Sequence, residues 1–322
     1  MPRFLVGASS AGLRLDHFLA QVMGGVSVHA ARRLLTGGSV RVDGKAAHRK
    51  GERVVVGQTV EVETAAAAIP ADGEGWVLPD PSVILPVLYQ DGDLVAVNKP
   101  AGVAAHPLRP DERGTAANGL VALFPECATA SDDPREAGLG HRLDRDTSGV
   151  LLAARRRPVW PRLRAALGDA GCEKTYVAQV FGLPPEQGHF DGAIGRVGRH
   201  GARVSIDAGR NPLPAHTEWQ RLDEVEADVD VDGSTALVRA RLHAGRAHQV
   251  RAHLAAAGFP IVGDPIYGNE TSRAFSAGHG ITGLRLHAES IRLRHPITDQ
   301  TLVVSAPPPT WFFSAGGRAQ SG

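Results

Sequence analysis

Two helix-like patterns open the chain. Apolar side chains spaced i, i+3, i+4 and i+7 predict an amphipathic first helix. They are Leu15, Phe18, Leu19, Val22 and Met23. A second helix is predicted to follow Ser27, a suitable N-cap, and to end at Gly37. Two short strands should complete this unit, one before the Asp43-Gly44 turn and one over residues 54–56 or 60–62.

Beyond residue 86 the pattern becomes one of strands with a few helices. Period-two alternation and short apolar runs predict the strands, and longer 3.6-period stretches predict the helices. The predicted elements are a hairpin over 87–97, a helix over 116–123, a buried strand over 150–154, a helix over 160–167, a strand over 172–180, a hairpin with a basic tip within 187–221, an acidic-faced strand over 225–231 returning through 236–238, and a helix from about Ala247 to Gly258.

A stretch rich in alanine, proline and glycine separates the two units. Residues 64–85 show no apolar period, which predicts an interdomain linker. The predicted division is a small domain over 1–63, the linker over 64–85, a larger domain over 86–310 and a tail over 311–322, frayed from Ser314. With 322 residues and 43% hydrophobic content, the chain is long enough to build both cores.

Charge and cysteine content narrow the choice of partners and compartment. Thirty-five basic residues against 34 acidic ones leave a net charge of +1, so a surface that binds a polyanion must be local. Cys127 and Cys172 lack metal-site spacing, and the residues after Met1 do not resemble a secretory signal, which predicts free thiols in a reducing cytosol. Because no apolar run approaches the roughly 18 residues of a membrane helix, we expect a cytoplasmic protein without a membrane partner.

The run HRLDRDTSG, His141 to Gly149, is a charged loop placed directly before the predicted buried strand. An isolated Arg-Leu-Asp loop is most often a surface ion-pair loop. Here Thr147-Ser148-Gly149 can turn the backbone sharply and hold the preceding carboxylate. The string resembles the active-site motif of the RluA-type pseudouridine synthases, in which the aspartate of HRLD is catalytic. The resemblance implies that Asp144 is the catalytic residue.

Two further blocks on either side of that loop resemble the same family. The string LYQDGDLVAVNKPAGVAAHP, residues 88–107, resembles the opening of its catalytic domain, although Lys99 by itself is most simply a turn residue. The K-x-Y element contributes Tyr176, which the resemblance makes the residue that stacks on the target uracil, with Lys174 beside it as a substrate-binding residue. A Lys-Tyr pair on one strand is otherwise most often a half-exposed sheet face.

The block RLHAGRAHQVRAHLAAAGFPIVGDPIYG, residues 241–268, resembles the last active-site segment of the family. The resemblance implies that Arg251 pairs with the catalytic carboxylate, and we expect His248, on the same predicted helix, to bind substrate. Ala244 and Ala247 stand where the family usually has threonines. We expect that change to remove backbone caps or an RNA contact rather than the chemistry.

The strings RLDHFLA, ARRLL and VRVDGK follow one another in the N-terminal unit and resemble the small RNA-binding module first known from a small-subunit ribosomal protein. The resemblance implies RNA contacts through basic side chains, with a solvated basic face as the alternative. These residues are Arg32, Arg33, Arg41 and Lys45, extended by Arg49, Lys50 and Arg53. Together the resemblances imply an α+β fold, with a catalytic domain built on a mixed, mainly antiparallel sheet around a central cleft, plus a small α/β N-terminal RNA-binding domain.

The residues suit a reaction that needs no cofactor. The sequence has no phosphate loop, GxSxG elbow, HExxH or intact GxGxxG, and its histidines lack ligand spacing, so we expect neither a metal nor an organic cofactor. Asp144, with Arg251 to neutralise it and Tyr176 to stack a base, suits isomerisation of uridine to pseudouridine, with Asp144 acting as nucleophile or as base. The uridine must first leave the RNA stack, and Arg142 would fill the gap or hold the adjacent phosphate.

Structured RNA is the expected substrate. Large-subunit ribosomal RNA is favoured over transfer RNA, because family members that carry the N-terminal module mostly act there. We expect the protein to work as a monomer. The alternative is a non-catalytic RNA-binding ribosome-assembly factor that kept the fold, for which the two replaced threonines are the one hint.

Overall fold

The computed structural model describes residues 2–23, 28–36, 38–47, 51–63, 77–109, 112–198, 203–222, 234–243 and 245–315. The helices are α1 Leu15–Val22, α2 Val28–Thr36, α3 Ala116–Leu123, α4 Trp160–Gly168, α5 Gln249–Ala256, α6 Glu270–Gly278 and α7 Thr310–Ser314. The strands are β1 Arg3–Leu5, β2 Val40–Val42, β3 Lys45–Ala46, β4 Thr59–Val62, β5 Val87–Gln90, β6 Leu94–Lys99, β7 Ser148–Ala154, β8 Glu173–Phe181, β9 Gln187–Asp191, β10 Ile194–Val197, β11 Arg203–Ile206, β12 Arg210–Leu213, β13 His216–Leu222, β14 Thr235–Leu242, β15 Leu286–Arg294 and β16 Thr301–Ser305. Within these ranges, none of the helices combines the length and the apolar character needed to cross a bilayer.

The N-terminal unit is a four-stranded antiparallel sheet in the order β1-β4-β2-β3, packed with α1 and α2. Leu15, Phe18 and Leu19 are buried in its core, as their spacing predicts. Of the two positions predicted for the last strand, the structure has the second, in β4. The pattern does not predict β1, because three residues are too few to show a period. Ser27 and Gly37, the predicted ends of the second helix, lie outside the described residues.

The second unit is built on one large sheet in the order β5-β6-β7-β15-β8-β14-β13-β9, with β16 paired to β15. Every pairing in it is antiparallel except that of β7 with β15. The expectation of a mixed, mainly antiparallel sheet is therefore confirmed. β15 comes from near the end of the chain but lies in the middle of the sheet, where it joins the strands before it to the strands after it.

Both faces of β7 are buried, which explains why its sequence is apolar throughout rather than alternating. Leu151 and Ala153 pack on the face covered by α3, and Leu152 packs on the opposite face with α4. Gly149 near the start of the strand has φ 113°, and a Cβ there would lie 2.1 Å from the carbonyl oxygen of Ala288 in β15. Only glycine fits where the HRLD loop enters the sheet.

The basic hairpin predicted within 187–221 is more elaborate than expected. β9 and β13 pair with each other in the large sheet, and between them the chain forms a separate three-stranded sheet in the order β11-β10-β12. The tip, residues 199–202, and the predicted acidic strand over 225–231 lie outside the described residues. The chain returns through β14, as predicted.

Two predicted boundaries need correction. The first 13 residues of the predicted linker, 64–76, are outside the described residues, but Val77 and Leu85 are buried in the core cluster that contains α3. The second unit therefore starts earlier than predicted, because two apolar side chains in a proline-rich stretch are too sparse to show a period. The predicted tail begins within α7, whose Phe312 is buried in a small cluster with Val177 and Leu237, so the folded unit extends beyond residue 310. Residues 316–322 are outside the described residues.

Candidate active site

The HRLD loop is fastened to β7 by its backbone. The Gly140 N–H donates to the carbonyl of Leu152 at 2.9 Å, and the Leu152 N–H donates to Nε2 of His141 at 3.1 Å. Burial lowers the pKa of His141 to about 3, so the ring is neutral and Nε2 is free to accept. The Thr147 N–H donates to the carbonyl of Asp144 at 3.1 Å and closes a turn. These bonds hold Asp144 at the entrance to the strand.

Lys99 is a second fastening of this loop, and the expectation that it is merely a turn residue is wrong. Its side chain is 0% exposed, and Nζ donates to the carbonyls of Pro100, Val103 and Arg145 at 2.8, 2.7 and 2.9 Å. Burial lowers the pKa of Lys99 to about 8, against the opposing charges of Asp146 and Asp144. The sequence shows a lysine before a proline, but not that β6 carries this side chain into the core.

Replacing Lys99 with methionine should lower the free energy of unfolding by about 3 kcal/mol, because three carbonyl oxygens lose a buried donor. The variant should also modify RNA more slowly, since the HRLD loop loses its bond at Arg145. Urea unfolding followed by fluorescence measures the first effect. Lys45→Met, on an exposed strand, is the matched control. Equal unfolding midpoints for the two variants would contradict this role of Lys99.

Asp144 lies in a cleft of about 1200 Å³. Its wall includes Tyr176 from β8, Leu242 from β14, Arg251 from α5 and Leu286 from β15. Among the residues that the structure describes, seven arginines and Lys174 line the cleft, against two acidic residues, Glu136 and Asp144. The arginines are Arg142, Arg145, Arg164, Arg196, Arg210, Arg246 and Arg251. A chain with a net charge of only +1 thus concentrates positive charge in its cleft, as a binding site for a polyanion requires.

The contact expected between Arg251 and Asp144 is present. Nη1 of Arg251 donates to Oδ2 of Asp144 at 2.7 Å, and the two side chains are 6% and 24% exposed. The other two nitrogens of the same guanidinium donate to Asp264, Nε to Oδ2 at 2.8 Å and Nη2 to Oδ1 at 2.9 Å. The Asp264 side chain is 0% exposed. Arg251 is therefore held by a buried carboxylate on one side and holds Asp144 on the other.

The charges of this triad support one another. Burial favours a neutral Arg251, but its hydrogen bonds and ion pairs with Asp264 and Asp144 outweigh that effect and raise its pKa. Burial likewise opposes the charge of Asp264, and Arg251 together with the N–H groups of Tyr267 and Ile266 lowers its pKa. The site therefore carries a fixed cation whose side chain cannot easily turn away from Asp144.

Tyr176 lines the cleft and packs against two core clusters, one that contains α3 and one that contains residues of α5. Burial, followed by the charge of Asp144, raises the pKa of its phenol, so the hydroxyl stays protonated. Lys174, two residues earlier, also lines the cleft, but its ammonium donates to the carbonyl of Leu167 at the end of α4, at 2.8 Å. The structure thus gives Lys174 a partner within the protein, whereas Tyr176 has its ring at the cleft.

Arg142 and His248 sit at different depths of the cleft. Arg142 is exposed at its edge. His248 is predicted to lie within the helix, but it precedes α5 because its backbone is left-handed with φ 54°. Its Nε2 lies 3.6 Å from Oδ1 of Asp144, and its Nδ1 lies 2.9 Å from the hydroxyl of Tyr267. Ala247 also lines the cleft, whereas Ala244 is outside the described residues.

The N-terminal basic residues have different environments. Nε of Arg32 donates to Oδ2 of Asp16 at 2.6 Å, and Asp16 is buried and also bound by Arg14. Arg32 therefore joins α2 to α1. Arg41 and Lys45 are exposed, and Nη2 of Arg41 lies 3.5 Å from Oε1 of Glu63. The side chain of Arg33, and the residues Arg49 and Lys50, lie outside what the structure describes.

Three residues of the site are not identified by the sequence pattern: Lys99, Asp264 and Tyr267. Asp264 and Tyr267 belong to the string GDPIYG, which ends the block of residues 241–268. Their place in that block is the signal from which they could have been identified as site residues. Within the described ranges, no group of three histidine, cysteine or acidic side chains is placed to hold a metal ion.

Comparison with known proteins defines the class to which this fold and site belong. The family described as RNA pseudouridylate synthase matches residues 93–256, and the S4 domain matches residues 13–60. The chain belongs to the RNA pseudouridylate synthase family: it is an RNA pseudouridine synthase, an isomerase, with an N-terminal S4 domain.

Particular relatives align over most of their length. The ribosomal large subunit pseudouridine synthase D of Vibrio parahaemolyticus is 30% identical over 310 residues, which cover 94% of this chain and 89% of that protein. The enzyme of the same name from Nitrosomonas europaea is 34% identical over 310 residues, covering 93% and 82%. The solved structure of human RNA pseudouridylate synthase domain containing 1 has a TM-score of 0.55 at 26% identity, covering 72% of this chain and 86% of that one.

Proposed function

We propose that this protein isomerises specific uridines of large-subunit ribosomal RNA, with Asp144 as the catalytic residue. The observation that carries the proposal is the buried chain of contacts from Asp264 through Arg251 to Asp144, which fixes an aspartate in a basic cleft beside Tyr176. Family membership and the names of the aligned relatives supply the substrate class.

The chemistry follows from the two oxygens of Asp144. Oδ2 is engaged by Arg251, so Oδ1 is the reactive oxygen, either attacking the ribose of the uridine or removing a proton from it. The bond between ring nitrogen 1 and the anomeric carbon breaks, the uracil turns, and a bond from ring carbon 5 to the anomeric carbon forms. The proton originally on carbon 5 is lost to water, and ring nitrogen 1 takes up a proton in its place. Asp144 is regenerated, because its bond to the anomeric carbon breaks as the carbon 5 bond forms or because the ribose proton that it removed is returned. No net oxidation or hydrolysis takes place.

The cleft is larger than one nucleoside needs. Ligand pockets typically measure about 300–1000 Å³, and this cleft exceeds that range and is open along arginines from several elements. We infer that the target uridine is extruded onto Tyr176, while the arginines bind the phosphates on either side of it. Arg142, at the edge of the cleft beside Asp144, is suited to fill the gap that the base leaves in the RNA stack or to bind the adjacent phosphate. Lys174 supports the wall behind Tyr176, and His248 borders the reactive oxygen.

The proposal extends to the N-terminal domain and to the working form of the protein. Arg41 and Lys45 are exposed on the β2–β3 hairpin and are proposed to contact RNA, whereas Arg32 has a structural bond with Asp16. The protein is proposed to act as a monomer. Ribosomal RNA as the substrate supports action in the cytoplasm.

Tritium release tests the substrate. Transcripts of large-subunit ribosomal RNA, small-subunit ribosomal RNA and transfer RNA, each labelled with tritium on carbon 5 of uracil, are incubated with the protein, and the tritium released to water is counted. We expect release from the large-subunit transcript to a plateau of one or a few equivalents, and little from the other two. Release only from transfer RNA would overturn the proposed substrate. RNA binding without release from any transcript would favour the non-catalytic assembly factor.

A further inference from the structure

His248 has an unusual backbone for a residue with a large side chain. Its φ of 54° lies in the left-handed region, which non-glycine residues seldom adopt and which active sites retain when the surroundings enforce it. The imidazole packs edge-on against the ring of Tyr267, with centroids 5.7 Å apart and planes at 88°. This backbone places one ring nitrogen near Tyr267 and the other near Asp144.

The hydrogen bonds of Tyr267 determine which nitrogen of His248 carries the proton. The Val204 N–H of β11 donates to the phenol oxygen at 2.9 Å, and Nδ1 of His248 lies 2.9 Å from the same oxygen. A phenol has one proton to donate, and Nδ1 is the acceptor within its reach. The phenol oxygen could accept a second hydrogen bond, but donation to Nδ1 is the arrangement that gives the hydroxyl proton a partner among the described residues. Nδ1 is then unprotonated, and in a neutral ring the proton is on Nε2.

A neutral ring is what the surroundings favour. Burial lowers the pKa of His248, with Arg251 and Arg196 acting in the same direction and Asp144 and Asp264 against it. The Tyr267 ring is itself fixed, since the guanidinium carbons of Arg251 and Arg203 lie 5.3 and 5.7 Å from its centroid. The phenol thus links the three-stranded sheet, through Val204 and Arg203, to the imidazole beside the reactive carboxylate.

We propose that Tyr267 and His248 are positioning residues: the Tyr267 hydroxyl sets the tautomer of His248, so that an N–H rather than a lone pair lies next to Oδ1 of Asp144. Nε2 is 3.6 Å from Oδ1 in the free protein, longer than a hydrogen bond, and such contacts shorten when substrate binds. The N–H stabilises the charge on the oxygen that Arg251 leaves free. The inference rests on the proposed catalytic role of Asp144.

The tautomer can be measured without activity. In protein labelled with nitrogen-15 in its histidines, the two-bond correlations of each imidazole identify the protonated nitrogen, and His248→Asn identifies the signal by its loss. We expect the Nε2–H form in the unsubstituted protein and a mixture with the Nδ1–H form in Tyr267→Phe, which keeps the ring but lacks the hydroxyl. A dominant Nδ1–H form in the unsubstituted protein would overturn the inference. This result would leave the proposed function untouched.

Kinetics then test the positioning role. Tyr267→Phe should lower kcat for pseudouridine formation about tenfold with KM within about twofold, the scale of one lost hydrogen bond to a charged group. Tyr89→Phe, which removes a phenol bonded to Asp91 outside the cleft, is the matched control and should leave kcat unchanged. In a His248→Asn background, where asparagine tolerates a positive φ, Tyr267→Phe should have no further effect. An equal tenfold loss in that background would show that Tyr267 acts independently of His248 and would overturn the proposal.

Discussion

Asp144→Asn should slow tritium release from large-subunit ribosomal RNA by about a thousandfold or more, the scale expected when a reacting acid–base or nucleophilic group is removed. The asparagine oxygen can still accept from Arg251, so the fold and the cleft should be retained. Asp146→Asn is the matched control, because Asp146 is exposed in the same loop and two residues away. Single-turnover assays with excess enzyme separate the chemical step from RNA binding, which filter retention measures in parallel.

Three outcomes of this experiment distinguish the roles open to Asp144. A slow Asp144→Asn variant that binds RNA and melts normally, beside an Asp146→Asn variant with ordinary activity, would agree with a catalytic carboxylate. Equal release by both variants would remove Asp144 from the mechanism. Loss of RNA binding in Asp144→Asn would instead indicate that this carboxylate organises the cleft.

Arg251→Met should lower the free energy of unfolding by about 3–5 kcal/mol, and activity should fall with it. Removal of the guanidinium leaves Asp264 charged, fully buried and without its cation, and also releases Asp144. Arg239→Met, which breaks a less buried pair with Glu289, is the matched control and should cost distinctly less. Urea unfolding with both variants measures the difference.

A double variant separates stability from function. Arg251→Met with Asp264→Asn removes the unpaired buried charge and should regain much of the lost stability, while activity stays low because Asp144 still has no partner.

The pH dependence of the stability has a definite sign. Asp264 has a lowered pKa in the folded protein. Its contribution to the free energy of unfolding is therefore present above its unfolded pKa of about 4 and is lost as the pH falls from there through the lower folded pKa. The stability gap between the unsubstituted protein and Arg251→Met should therefore shrink as the pH falls through 4. A gap that is constant with pH would contradict the role of Asp264.

The features that depend on local sequence could be predicted. The apolar spacing of α1 and the HRLD string are contained within ten residues each, and the partner of Asp144 lies in a recognisable block. Lys99 could not be identified in this way, because its importance depends on β6 carrying an ammonium to three carbonyls, one of them 46 residues away. The left-handed backbone of His248 could not be predicted either, because the apolar residues around it have helical spacing.

Charge is a second limit to prediction from sequence. Arg32 and Arg41 look alike as basic residues of one short unit, yet Arg32 is bonded to a buried aspartate, whereas Arg41 lies 3.5 Å from a partly exposed glutamate, Glu63. The sequence alone does not show which charged side chains form ion pairs within the protein. Asp16, in the string RLDHFLA, is the residue that makes this distinction, and its burial depends on the packing of α1 against α2.

The central position of β15 determines when the enzyme becomes competent during its synthesis. Without that strand the sheet is two separate pieces, β5-β6-β7 and β8-β14-β13-β9. Asp144 lies next to the first piece, and α5, which carries Arg251, packs against the second. Asp144 and Arg251 therefore come together only when residues 286–294 join the two pieces of the sheet. A nascent chain lacking them has an S4 domain but no assembled active site, and it exposes two open strand edges that are prone to aggregate. We therefore expect modification of RNA by this protein to begin only after residues 286–294 have been translated.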